Sequence, residues 1–180
     1  MASHDDSSGG ISTIPEDPDP IWNRRETRLH YISFGFVLLI TALAATGVLG
    51  VRTTTSVGSA DGYTLEVHHA SVSRPGLATP FSVSVVAEAA SLPGSVTVRV
   101  DSAFFQMFDE NGLDPQPASS FNDSEWTTWT FDVPPNSTEL KVDFDARIEP
   151  AAQWGETAAA TLLIEDEEVV TVDFSTWIMP

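Results

Sequence analysis

The chain has 180 residues, no cysteine, and 26 acidic against 8 basic residues, for a formal net charge of -18. That charge excludes nucleic-acid binding, which needs a basic face against phosphate, and it opposes a domain lying on anionic lipid. Without cysteine there is no disulfide and no thiolate metal site, and a hydrophobic fraction of 42% excludes global disorder.

Residues 1–29 are polar and carry Pro15, Pro18 and Pro20. They read as a disordered cytoplasmic tail, too short for a catalytic domain. Residues 30–51 read as a transmembrane helix. From Tyr31 to Val51 no side chain is charged, and as a helix this run spans roughly 31 Å, the thickness of a bilayer's hydrocarbon core. Arg24, Arg25 and Arg28 precede it, Arg52 alone follows, and the next basic residue is Arg74. The positive-inside bias places the N-terminus in the cytoplasm and the bulk of the chain outside. Trp22 and Tyr31 stand at the inner boundary, where aromatic side chains are favoured. The competing reading is a signal peptide cleaved after Ala44, since Ala42 and Ala44 have the small-x-small form. A long acidic leader and an apolar run that continues past Ala44 oppose it. Ala42, Thr46 and Gly50 recur at four-residue spacing, which suits a close helix contact, although small residues are common in such helices.

Residues 52–61 read as a polar linker. Residues 62–180 alternate with period two, the pattern of strands with one face in a core and one in water. Tyr63, Leu65 and Val67 share a face; so do Phe81, Val83, Val85 and Ala87; so do Val96, Val98 and Val100. "SAFFQMF" reads as a further strand. Trp129, Phe131 and Val133 align, as do Leu140, Val142, Phe144, Ala146 and Ile148. "TAAATLLIE" and "VVTVDFSTWI" form a hairpin about Glu165–Glu168. Turn signals such as "SRPG", "LPGS", "DENG" and "VPPN" separate these segments. About seven or eight short strands without a helical segment make an Ig-like antiparallel β-sandwich. "SRPGLATPFSVSVVAEA" and the strands after it resemble Ig-like modules of bacterial and archaeal surface proteins.

Candidate sites are few. Asp109, Asn111 and Asp114 surround Gly112, and oxygen ligands at a glycine turn suit calcium. The spacing is not that of an EF-hand, because no glutamate closes the loop, and acidic turns are common in so acidic a chain. His68 and His69 are neighbours in a strand and point to opposite faces, so they cannot share a metal. No nucleophile elbow and no phosphate-binding glycine loop occurs. Asp143 and Asp145 share one strand face, which alternating surface charge explains. Trp129 belongs to the core, and Trp126, three positions away, faces outward. Trp154, beside Gly155 in a turn, is the candidate for an exposed contact residue. Asn122 and Asn136 head glycosylation acceptor sequences.

The expectation is a single-pass protein of the cytoplasmic membrane that presents a non-enzymatic binding or accessory domain outside, without cofactor or resident metal. Its partners would be the lipid bilayer and another membrane protein or an envelope component. The alternatives are a secreted sandwich cleaved near Ala44 and a calcium-dependent surface module.

Overall fold

The computed structural model describes residues 20–46, 50–152 and 154–179, in two units that divide after Val48. In the first unit the described residues form one helix, α1, Pro20–Ala45, and the turn at Thr46. Proline suits the opening position, where its missing N–H has no partner to lose. The segment expected as tail is thus helical from Pro20, because Arg24, Arg25, Glu26, Arg28 and Leu29 are good helix formers; residues 1–19 lie outside the described residues. The helix also stops at Ala45, short of the expected Val51. Thr46 follows it, donating its hydroxyl to the Leu43 carbonyl at 2.9 Å. From Leu29 to Leu43 every large apolar side chain is exposed. The stretch Arg25–Ala45 has a mean hydropathy of 1.6 and none of it is buried. It is long and apolar enough to cross a membrane, a test that signal sequences also pass.

The second unit is mainly β, as expected. Its strands are β1 (Arg52–Ala60), β2 (Tyr63–Ser73), β3 (Phe81–Ala87), β4 (Ser95–Asp101), β5 (Phe108–Asp114), β6 (Ser119–Asn122), β7 (Trp126–Asp132), β8 (Glu139–Ile148), β9 (Glu156–Ile164) and β10 (Glu167–Ile178). A short helix, α2 (Ser102–Phe105), joins β4 to β5. The hydrogen-bonded order is β5-β8-β3-β2-β10-β9-β4-β7-β6, with β1 added to β2. All pairs are antiparallel except one. β10 pairs with β9 from Glu167 to Thr176, and then Trp177 and Ile178 run parallel to Val72 and Ser73 of β2. One strand thereby links two runs of sheet, and the whole curls about one core.

Period-two alternation builds that core. β8 buries every second residue from Leu140 to Ile148, and β10 does so from Val170 to Ile178. The expected inward residues of β3, β4 and β7 are all buried. At the centre is an aromatic cluster. Phe104 of α2 lies 5.1 Å from Phe81, 5.0 Å from Phe108 and 4.9 Å from Phe174, ring centre to ring centre. Rings at these separations attract beyond the area they bury.

Three expectations need correction. "SAFFQMF" is not a strand: a helical turn there drops Phe104 into the core, where it is 1% exposed. The linker expected at 52–61 is β1, paired with β2 over Tyr63–Val72. The Asp61–Gly62 turn makes that hairpin, both residues having positive φ (52° and 80°), as a two-residue turn matching strand twist requires. The acidic turn expected around Gly112 is β5, paired with β8 and interrupted by a bulge between Glu110 and Gly112. The expected hairpin of β9 and β10 is present, turning at Glu165 and Asp166 with φ of 52° and 66°.

Strand pairing sorts the turns of the domain to two ends. At one end are Arg52, the turn after Ser73, and Trp177 to Met179; the Met179 amide donates to the Ser73 carbonyl at 2.9 Å. The chain after β8 reaches the same end, since the Gly76 amide donates to the Ile148 carbonyl at 2.9 Å. At the other end are the Asp61–Gly62 and Glu165–Asp166 turns. β1 brings them together: a Cβ on Gly58 would come 2.8 Å from Val172 and 3.1 Å from Val170, near the start of β10.

Candidate binding surface

The outward face of β1, β2, β3 and β8 carries a shallow polar depression of about 300 Å³ lined by Thr55, Glu66, His68, Ser82, Ser84 and Lys141. Register builds it. Thr55, His68, Ser82 and Asp143 stand in one cross-strand row, and Glu66, Ser84 and Lys141 in the next. Neighbours in such rows have Cβ atoms about 5 Å apart, so side chains from four strands meet. The Thr55 Oγ1 lies 3.2 Å from the His68 Nδ1, and the Lys141 Nζ lies 2.7 Å from a carboxylate oxygen of Asp143. Hydroxyls, an imidazole, a carboxylate and an ammonium group offer both donors and acceptors to a polar ligand on rigid strands. Among the described residues the hydrogen-bond partner of the His68 ring is the Thr55 hydroxyl, and no carboxylate bonds it.

His69 points the other way and is 2% exposed. Its Nε2 lies 3.2 Å from the Ser56 hydroxyl and its Nδ1 3.2 Å from the Ala70 carbonyl. The Phe174 ring lies 5.1 Å away. Burial, the largest influence, pushes its pKa down; the Ala70 carbonyl opposes this, and nearby His68 adds to it. A neutral ring satisfies both contacts, with Nδ1–H donating to Ala70 and Nε2 accepting from Ser56. His69 is thus part of the packing of β1 on β2, while His68 faces the depression.

The acidic candidates fall on β5. Asp109 stands opposite Arg147 and Asp114 opposite Asp143 of β8, with a cis peptide bond between Asp114 and Pro115. They lie at opposite ends of the strand, and the side chain of Asn111 lies outside the described residues. No cluster of three metal-ligating side chains occurs among the described residues.

Trp154 is 81% exposed and Trp177 is 59% exposed. The first follows from its turn beside Gly155. The second was missed, although Trp177 is in phase with the exposed Asp173 and Ser175 rather than with Phe174 and Ile178. Trp126 is half-buried under the Arg99 guanidinium, whose carbon lies 4.3 Å from the ring centre. Phe121, 65% exposed, borders a groove of about 340 Å³ between the edge strands β5 and β6. Asp123, in the turn before β7, is held below the usual carboxylate range by the Trp126 amide first and the Glu125 amide second.

No protein-family model matches the chain, and no curated protein matches its sequence. Among solved structures, the crystal structure of BslA, a bacterial hydrophobin, aligns with a TM-score of 0.41 at 8% identity, over 72% of this chain and 100% of that one. The solution structure of CaCohA2 from Clostridium acetobutylicum aligns with a TM-score of 0.40 at 15% identity, over 72% of this chain and 92% of that one.

Proposed function

We propose that this chain is a single-pass protein of the cytoplasmic membrane, with its N-terminus inside, that presents an Ig-like β-sandwich to the exterior as a non-enzymatic binding or accessory module. The observation that carries the reading is α1. Its apolar side chains are exposed on every side, from Tyr31 at 73% to Leu43 at 39%. Water penalises such a surface and hydrocarbon does not. Arg24, Arg25 and Arg28 on one flank, against Arg52 on the other, support the orientation. The sandwich reading is supported by β5-β8-β3-β2 and β9-β4-β7-β6, which feed alternate side chains into one core. Binding is supported by the polar depression around His68, whose groups lie flat on strands without a nucleophile, base and orienting acid in sequence. The partner is another membrane protein or an envelope component.

The test joins a reporter to the C-terminus and measures the mass of the mature protein. The expected result is the full-length mass, in the membrane fraction after alkaline extraction, with a reporter active outside only. A soluble product lacking the residues up to Ala44 would establish the secreted alternative. A reporter active in the cytosol would reverse the orientation. Detergent extracts should yield a co-purifying partner that a His68→Ala/Lys141→Ala variant loses; consistent recovery of the protein alone would end the accessory role.

A further inference from the structure

Resting on the reading that the β domain is outside the membrane, we infer that Asn136 carries a sugar on its side-chain amide nitrogen, and that Asn122, the other head of an acceptor sequence, does not. The pattern Asn-x-Ser/Thr recurs by chance in many chains. What separates these two copies of it is the fold around each.

Asn136-Ser137-Thr138 lies between β7 and β8, directly after Pro134 and Pro135. The Ser137 amide donates to the Pro134 carbonyl at 3.2 Å, which closes a four-residue turn. Pro135 is second in it and Asn136 third, with φ of 64°. That is the residue order of a type II turn, whose third residue takes positive φ. Proline presets the bend, and asparagine tolerates the left-handed region better than most residues with a side chain. The Ser137 carbonyl accepts from the Leu92 amide at 2.7 Å, and the Thr138 carbonyl from the Ala87 amide at 2.9 Å. The main chain after Asn136 is thus fixed to the domain, while Asn136 and Thr138 are both exposed. Neither of these two side chains has a hydrogen-bond partner among the described residues. Turn geometry accounts for the asparagine. It does not account for Thr138, whose hydroxyl is the second group of the acceptor pattern.

Asn122-Asp123-Ser124 is held in the opposite way. Asn122 ends β6 and pairs with Thr127 of β7. Its amide oxygen accepts from the Ser102 hydroxyl at 3.0 Å and from the Thr127 hydroxyl at 3.3 Å, and both of those residues are buried. Asp123 accepts from the Glu125 and Trp126 amides at 2.8 and 2.7 Å. A transferase taking up this stretch must break hydrogen bonds to buried hydroxyls and undo the turn into β7, which is costly. At Asn136 no side-chain bond has to break.

The step balances as a transfer. The donor is an oligosaccharide joined through C1 to the phosphate of a membrane polyprenol. The Nδ2–C1 bond forms as the C1–O bond to phosphate breaks. Nδ2 loses one proton, and the lipid leaves with its phosphate. The product is an uncharged amide with a bulky polar substituent, which an exposed turn accommodates. The bond that closes the turn is between main-chain atoms and is untouched.

The test isolates the full chain, with a reporter at its C-terminus, from membranes of the cells that make it. Cleavage after Glu125 and Asp132 puts the two asparagines on separate peptides, whose masses are measured. The expected result is added sugar mass on the Asn136 peptide alone. Asn136→Asp keeps the shape and the tolerance of positive φ but has no amide nitrogen, and should lose that mass completely. Thr138→Ala should also lose it and Thr138→Ser keep it, whereas Asn122→Asp should leave it in full. A reporter active outside with Asn136 unmodified, or with sugar on Asn122, would overturn this inference and leave the membrane reading standing. A reporter active in the cytosol would overturn that reading, and this inference with it.

Discussion

Gly155 stands so close to Thr176 that a Cβ on it would come within 2.0 Å of the Thr176 carbonyl oxygen. That approach lets the chain before β9 press onto β10 while β9 begins its ladder at Glu156, opposite Thr176. The contacting atoms are backbone, so a larger residue cannot be accommodated by turning a side chain. Gly155→Ala should therefore unpair the start of β9 and lower the stability of the domain by about 1–3 kcal/mol, the usual cost of overpacking. Urea titration of the detergent-solubilised chain would measure it, and an unchanged midpoint would show that the loop simply lifts away.

Phe104 is held by rings on several sides, and its removal leaves a hole that these rings cannot all fill. Phe104→Ala should cost about 3–5 kcal/mol. Phe121→Ala, at a position 65% exposed, should stay within about 0.5 kcal/mol of the parent. Equal losses in the two variants would contradict the placement of α2 in the core.

The burial of His69 makes a pH dependence. The unfolded ring takes a proton below about pH 6.5, whereas the folded ring resists it, because burial holds its pKa down. The unfolded state therefore binds more protons in the window below about 6.5, and stability falls as pH drops through that window towards the lowered folded value. Above it the contribution is fully present. Ser56 lies on β1, so the strain of protonation falls on that strand's hold. The urea midpoint should drop between about pH 7.5 and about pH 5, and His69→Gln should flatten the drop. A parent midpoint that does not move over that range would refute the burial of this ring.

The Glu165–Asp166 turn runs against residue preference. Both residues have positive φ, a region in which ordinary L residues are strained and Asn-Gly is favoured. Glu165→Asn/Asp166→Gly should raise stability by roughly 1 kcal/mol, read as a higher urea midpoint at unchanged slope. A lower midpoint would mean that the acidic turn makes contacts worth more than its strain.

Much of this fold was readable wherever one side of a strand is apolar and the other polar. β3, β4, β7 and β8 have that pattern, and their inward residues were identified from it; β10 has it too, but only its hairpin was read. β1 was not, because "RTTTSVGSA" pairs along one edge only and is exposed or half-buried throughout, so no alternation marks it. Its sign was the Asp61–Gly62 pair, a strong hairpin signal that was read as the end of a linker. β5 was hidden because Asp109, Glu110, Asn111 and Gly112 are turn formers in isolation; pairing with β8 overrides that preference. α2 is too short for a helical period to show. The depression around His68 could not be read at all, since its residues come from four strands and meet only through register. Trp154 was legible from its glycine neighbour.

The junction made by β10 sets an order of events. Its Glu167–Thr176 stretch completes one run of sheet, and its Trp177 and Ile178 clasp β2, more than a hundred positions earlier in the chain. During synthesis these residues emerge after every other strand, so the earlier ones have no edge on which to close until they arrive. Newly made chains must wait with both half-sheets open, and a ribosome stalled before Glu167 would leave a product that chaperones and proteases meet as unfinished rather than as a smaller stable domain.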